Sequence, residues 1–211
     1  MIDTLFDKEQ KVVDDQRRDI TLEIQKLKPT PPPMPEGVKT PPPELPMDAA
    51  SKAKKEALEA KMLELKADHS ASQKQYETYF AKHDGTVEGT AAGLRLSGIL
   101  LADKRLADAR KIVEKVLTRT VGHPFYDVHA RLLYIGILED LNDLDTAVAQ
   151  VDKLKKAATG EMQPLALLAI GRLYAMRNAK DEARTAFQEI IDKHGTSREA
   201  ERARGLIAIL E

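Results

Sequence analysis

Apolar residues near the start of the chain recur every seven positions, at Phe6, Val13, Ile20 and Leu27, with Leu5, Val12 and Ile24 beside them. This spacing predicts a helix from Ile2 to Lys28 with one narrow apolar stripe. The second seam position of each heptad is polar, at Glu9, Gln16 and Glu23. A coiled coil places apolar side chains at both seam positions. Two readings stay open: a self-associating coiled coil, or a helix that docks on another surface.

A second stripe follows further on. Leu58, Met62, Leu65, His69, Ser72, Tyr76 and Tyr79 alternate steps of four and three, the seam of a helix lying along a partner. The pattern predicts one long helix capped by Asp48 and running to about Lys82, with His69 and Ser72 interrupting its apolar edge. Between the stripes, Pro29 to Pro46 holds nine of the eleven prolines. Such a segment favours polyproline II at about 3.1 Å per residue, a spacer reaching roughly 50 Å, and secondarily a ligand for a proline-reading domain.

From Thr86 onward the pattern changes to paired amphipathic helices. Ala91 to Ala102 pairs with Leu106 to Thr118, Phe125 to Leu141 with Leu144 to Ala157, and two short helices joined by a turn make a third pair over Gln163 to His194. Gly98, Gly136 and Gly171 recur at 38 and 35 residues, and Ala109, Ala147 and Ala183 at 38 and 36. Two small-residue series of nearly one period mark an internal repeat. From Gly to Ala is eleven residues in the first two copies and twelve in the third, which predicts shorter turns in the first two hairpins. Gly in a helix interior costs about 1 kcal/mol relative to Ala, so Gly171 predicts a close helix approach. Thr196 with Glu199 reads as a capping box opening a final helix, Ser197 to Glu211. Its Ala200, Ala203, Ile207 and Leu210 would cover the end of the array.

In the third hairpin Leu167, Ile170, Gly171, Tyr174, Ala183, Phe187 and Ile190, with Gly195 at the exit, resemble the signature positions of a tetratricopeptide repeat. The resemblance implies an all-α fold: a tetratricopeptide-like right-handed stack of three helical hairpins plus a C-terminal capping helix. Ahead of it stand a long helix, a proline-rich linker and an N-terminal helix. The expected divisions are 1–28, 29–47, 48–83 and 84–211. The same resemblance puts the first helix of each hairpin along a concave groove lined by Arg95, Leu96, Ile99, Leu133, Tyr134, Ile137, Leu168, Arg172 and Met176. That lining is largely apolar with two arginines, and suits an amphipathic helix or apolar peptide segment. One of the chain's own helices is the alternative occupant.

Over about Gln75 to Leu210, the leading helix, GTAAGLRLSGILLADKRLADARKIVEKVL, HARLLYIGILEDLNDLDTAVAQVDKL and the third hairpin resemble the soluble domain of the ancillary SecYEG translocon subunit family. Members carry one N-terminal transmembrane helix and a periplasmic helical-repeat domain, and escort proteins leaving the translocon. The resemblance implies a non-enzymatic protein-interaction scaffold in a bacterial envelope-associated assembly or translocation system, with a protein partner that can be a membrane complex. Its place would be the periplasm or inner-membrane periphery if an N-terminal anchor or signal has been removed, and otherwise the cytoplasm. The alternative is a structural oligomeriser resembling the cell-division coordinator family, self-associating through its N-terminal helices.

Composition narrows the chemistry. The formal net charge is −1 and aromatic residues make up 4%, which argues against nucleic-acid binding. There is no cysteine, hence no disulfide or thiolate chemistry. No apolar run reaches the length that spans a bilayer. His69, His83, His123, His129 and His194 lack metal-ligand spacing, and Ser51 with Lys54 stands without the further motifs of acyl-transfer enzymes. The expectation is no catalytic residues, no metal and no cofactor.

Overall fold

A computed structural model describes residues 2–29, 46–120 and 123–210, with side chains from Phe6 onward. The proline-rich spacer expectation falls on residues 30–45 and lies outside the described residues. The described residues form an all-α chain in two compact units, Met1–Ser72 and Gln73–Glu211.

The first unit contains α1 (Ile2–Lys26), α2 (Ala49–Glu64) and the opening turn of α3 (Ser70–Lys82). The heptad stripe of α1 is its packed side: Val13 and Ile20 are buried, and Phe6 and Leu27 half-buried. Its partner is on the same chain and runs antiparallel. Glu9 meets His69 and Ser72, the Arg17 guanidinium donates to the Leu65 carbonyl at 3.1 Å, and Ile20 shares a cleft with Lys61 and Leu65. Position numbers thus rise along α1 as they fall along its partner. Arg17 supplies a cation to the C-terminal end of α2, where carbonyls lack intrahelical partners. Asp48 caps α2 as its position suggests, accepting from the Ser51 N–H at 2.8 Å.

The single long helix is corrected to two. Helix stops at Glu64 with Leu65 extended, and resumes at Ser70. No residue of α2 is buried, so little packing opposes the local preference of Asp68 and Ser70 for non-helical hydrogen bonds. The Asp68 carboxylate accepts from the Ser70 N–H at 3.0 Å. The break lets the polar residues of both stripes meet. Glu9 Oε2 accepts from Ser72 Oγ at 2.6 Å and lies 3.1 Å from His69 Nδ1, Oε1 accepts from the Ser72 N–H at 3.1 Å, and Phe6 stacks on His69 at 4.4 Å. Burial pushes the Glu9 carboxyl up, but the hydrogen bonds from Ser72 and His69 outweigh it and leave its pKa below the ordinary value.

The second unit holds three hairpins: α4 (Val87–Ala102) with α5 (Leu106–Leu117), α6 (Pro124–Asp140) with α7 (Leu144–Val148) and α8 (Val151–Ala157), and α9 (Gln163–Met176) with α10 (Lys180–Lys193). Helix α11 (Arg198–Leu210) packs on the last hairpin, where Ala200 and Ala203 join Leu168, Phe187 and Ile190 in one core cluster. Its N-cap is Ser197, whose Oγ accepts from the Ala200 N–H at 3.0 Å, one residue beyond the expected Thr196. The second helix of the middle hairpin, read as continuous from Leu144 to Ala157, is interrupted at Ala149 and Gln150, where the Gln150 N–H turns to the Ala147 carbonyl. Arg131 donates to the Gln150 side chain at 3.2 Å from the facing helix.

Candidate interaction face

The hairpin turns set which side chains point outward. Lys104, Asn142 and Asn178 have φ of 60°, 57° and 59°, and all other described residues of positive φ are glycines. Around each, the bonds repeat atom for atom. The N–H of Lys104, Asn142 and Asn178 goes to the carbonyl of Leu101, Glu139 and Ala175, and the next N–H goes to that of Leu100, Leu138 and Tyr174. This pair of bonds is the Schellman motif, closed by one left-handed residue. Left-handed positions spaced 38 and then 36 residues apart give the same interval as Ala109, Ala147 and Ala183. The three turns are therefore equal in length, and the expectation of shorter turns in the first two is corrected.

Counting from these turns replaces the glycine alignment. Gly171 corresponds to Ser97 and Ile135, both buried, while Gly98 and Gly136 correspond to Arg172. The surroundings agree. A β-carbon on Gly171 would lie 2.6 Å from Phe187 Cδ1, whereas one on Gly98 or Gly136 would meet nothing within 4 Å. The close approach expected at Gly171 is there. At the other two glycines the helix surface is open. Another tight site, Gly93, escaped the pattern; its β-carbon would lie 2.5 Å from Val116 Cγ2 and 2.8 Å from the Phe80 ring.

The nine expected groove residues divide accordingly. Arg95, Arg172 and Met176 are exposed and Leu133 is half-buried. Leu96, Ile99, Tyr134, Ile137 and Leu168 are buried, which corrects the expectation that they line an open surface. In the first two hairpins the expected Arg95, Ile99, Leu133 and Ile137 each stand one position after the residues that the turns place outward. With the turns as reference, the outward strip runs through Leu94 and Gly98 on α4, Leu132 and Gly136 on α6, and Arg172 and Met176 on α9; the first four are half-buried. Leu168 occupies the position of Leu94 and Leu132 but sinks into the core cluster beside α11. The signal that finds this strip was in the alanine series, whose interval the turns share and Gly171 does not.

Polar side chains brace the interior around it. Tyr134 donates its hydroxyl to Glu114 at 2.7 Å, and Arg110 bridges Glu114 and Asp143 at 2.8 and 2.9 Å, tying α5 to α6 and the following turn. Arg110 first and Tyr134 second hold the Glu114 carboxyl below its usual range, and burial followed by Glu114 pushes the Tyr134 phenol up to about 12. Glu139 is covered to 8% exposure of its side chain and receives Arg172 Nη2 at 2.8 Å. Burial pushes its carboxyl up, with Arg172 offsetting only part, and its Oε1 is buried without a hydrogen-bond partner among the described residues.

This bracing holds helices together and presents no nucleophile and base in sequence. Ser51 is engaged with the Asp48 carboxylate and His129 with the Phe125 carbonyl. Among the described residues no group of three or more His, Cys, Asp or Glu is placed to hold a metal ion, and no helix is long and apolar enough to cross a membrane. No family model, curated protein or solved structure matches the chain.

Proposed function

We propose that the chain is a non-enzymatic protein-interaction scaffold of tetratricopeptide type, whose hairpins form a stack with the Leu94–Gly98, Leu132–Gly136 and Arg172–Met176 strip along its inner face. The observation that carries this reading is the open space at Gly98 and Gly136. A helical glycine without a neighbour to accommodate is a cost in the free protein, and it admits a partner's backbone close to the helix. Half-buried leucines on one side and Met176, 50% exposed, at the end suit an apolar or amphipathic peptide segment. In keeping with the resemblance of its repeat region, the scaffold would serve an envelope-associated assembly or translocation system.

The oligomeriser reading draws less support, because the heptad stripe of α1 is engaged by its own chain. The test is site-specific photocrosslinking in the native source from Met176 and Leu132, set against exposed Arg202 on α11. Crosslinks to one protein from the first two, abolished by Gly136→Trp in a folded chain, are expected. Equal crosslinking from Arg202, or capture indifferent to Gly136→Trp, would remove the face from consideration.

A further inference from the structure

Glu139 is out of keeping with its place in the repeat. It stands three residues before the left-handed Asn142, where the other hairpins carry Leu101 before Lys104 and Ala175 before Asn178. Apolar side chains serve that position in both, so packing does not call for a carboxyl there. Three residues on from Gly136 and seven from Leu132, Glu139 shares their face of α6, and its contact with Arg172 joins it to the part of the strip on α9. The contact is one-sided. Arg172, itself 53% exposed, gives Oε2 a single hydrogen bond from Nη2 at 2.8 Å, while Oε1 is enclosed and has no donor among the described residues. Burial pushes the carboxyl up; Arg172 opposes this, and Asp140, next along the helix, adds to it. Asp140 in turn has the exposed Lys104 4.0 Å away.

We propose that the strip takes an apolar helical segment bearing one lysine or arginine, whose cation donates to Glu139. The proposal rests on the reading of the strip as an interaction face and names what its partner must carry. An apolar segment laid over the strip shuts water away from the Arg172–Glu139 pair, and a carboxylate with one oxygen unmet is costly to cover. A cation on that segment supplies the missing donor and offsets the nearby Asp140 charge. The open backbone at Gly136, one turn away, lets the segment come close enough for its cation to reach. Arg172, exposed and held by one bond, turns aside to admit it. A segment without the cation leaves Oε1 unmet, and one with an acid in its place meets two carboxylates, so the same corner selects by what it rejects.

Labelled helical leucine–alanine peptides with a single lysine walked along successive positions, and their norleucine and glutamate counterparts, are titrated into the full chain at constant ionic strength and followed by anisotropy. The best lysine peptide should bind about tenfold or more tighter than its norleucine counterpart, and the glutamate peptide weakest. Glu139→Leu, which copies the first hairpin, should keep the fold by circular dichroism and abolish the lysine preference, whereas Gly136→Trp should weaken every peptide. Lysine and norleucine peptides that bind alike, or a lysine preference that survives Glu139→Leu, would overturn the proposal and leave the strip standing. Absence of binding by every peptide, or binding indifferent to Gly136→Trp, would overturn the strip reading and the proposal with it. A chain that sediments as a dimer and becomes monomeric in Gly136→Trp would make a second copy the occupant and overturn the proposal alone.

Discussion

The ring of Phe187 occupies the space that a side chain on Gly171 would need, its Cδ1 2.6 Å from where the β-carbon would stand. Both residues are buried, and the ring has the core cluster behind it. Gly171→Ala should therefore destabilise the second unit by about 1–3 kcal/mol despite the better helix propensity of Ala. Adding Phe187→Leu should restore part of that loss, a coupling readable in a double-mutant cycle of urea unfolding. Simple additivity would mean the two residues do not collide.

Lys104 holds a left-handed conformation that costs a non-glycine residue roughly 1–2 kcal/mol and that asparagine tolerates better at Asn142 and Asn178. Its nearest ionic partner, Asp140, is 4.0 Å away and both are exposed, so little is lost with it. Lys104→Gly should raise the urea midpoint, with a gain of about 1 kcal/mol, while Asn178→Ala should lower it. A fall on Lys104→Gly would contradict the shared turn.

Serine and threonine side by side before α11 offer a sharp comparison. Ser197→Ala removes the bond to the Ala200 N–H and should cost about 1 kcal/mol. Thr196→Ala should change stability by less than about 0.5 kcal/mol. Equal losses in thermal unfolding would put the cap elsewhere.

Glu9 gives the first unit an acid-labile element. Its folded pKa lies below the ordinary 4.5, so its contribution is complete above that value and is lost as pH falls through the folded pKa. Protection of α1 amides in hydrogen exchange should decline on acidification. Glu9→Gln should lower protection at neutral pH, leaving the Ser72 and His69 contacts without a charged acceptor, by about 1–3 kcal/mol. It should also flatten the pH dependence; an unchanged acid profile would show that Glu9 is not its source.

These residues also show what the sequence could and could not disclose. Periodic burial was legible: Val13 and Ile20 seven apart, and Ala109, Ala147 and Ala183 at one interval, are buried, because a helix repeats its faces along its own chain. Pairing between segments was not. Glu9 and the pair His69 and Ser72 each looked like a defect in a stripe, and only their meeting across sixty or more residues makes them complementary. The glycine alignment of the repeats failed for a related reason. Glycine marks either tight contact or open space, and Gly171 is of the first kind while Gly98 and Gly136 are of the second, a distinction their letters do not carry.

The central claim is that three hairpins share one turn register, which leaves Gly98 and Gly136 open and Gly171 enclosed. Urea unfolding of Gly98→Ala, Gly136→Ala and Gly171→Ala tests it most directly. The first two should each gain up to about 1 kcal/mol, the helix propensity difference with no collision to offset it, and the third should lose stability. A loss at all three would restore the glycines as equivalent packing positions and contradict both the register and the face built on it.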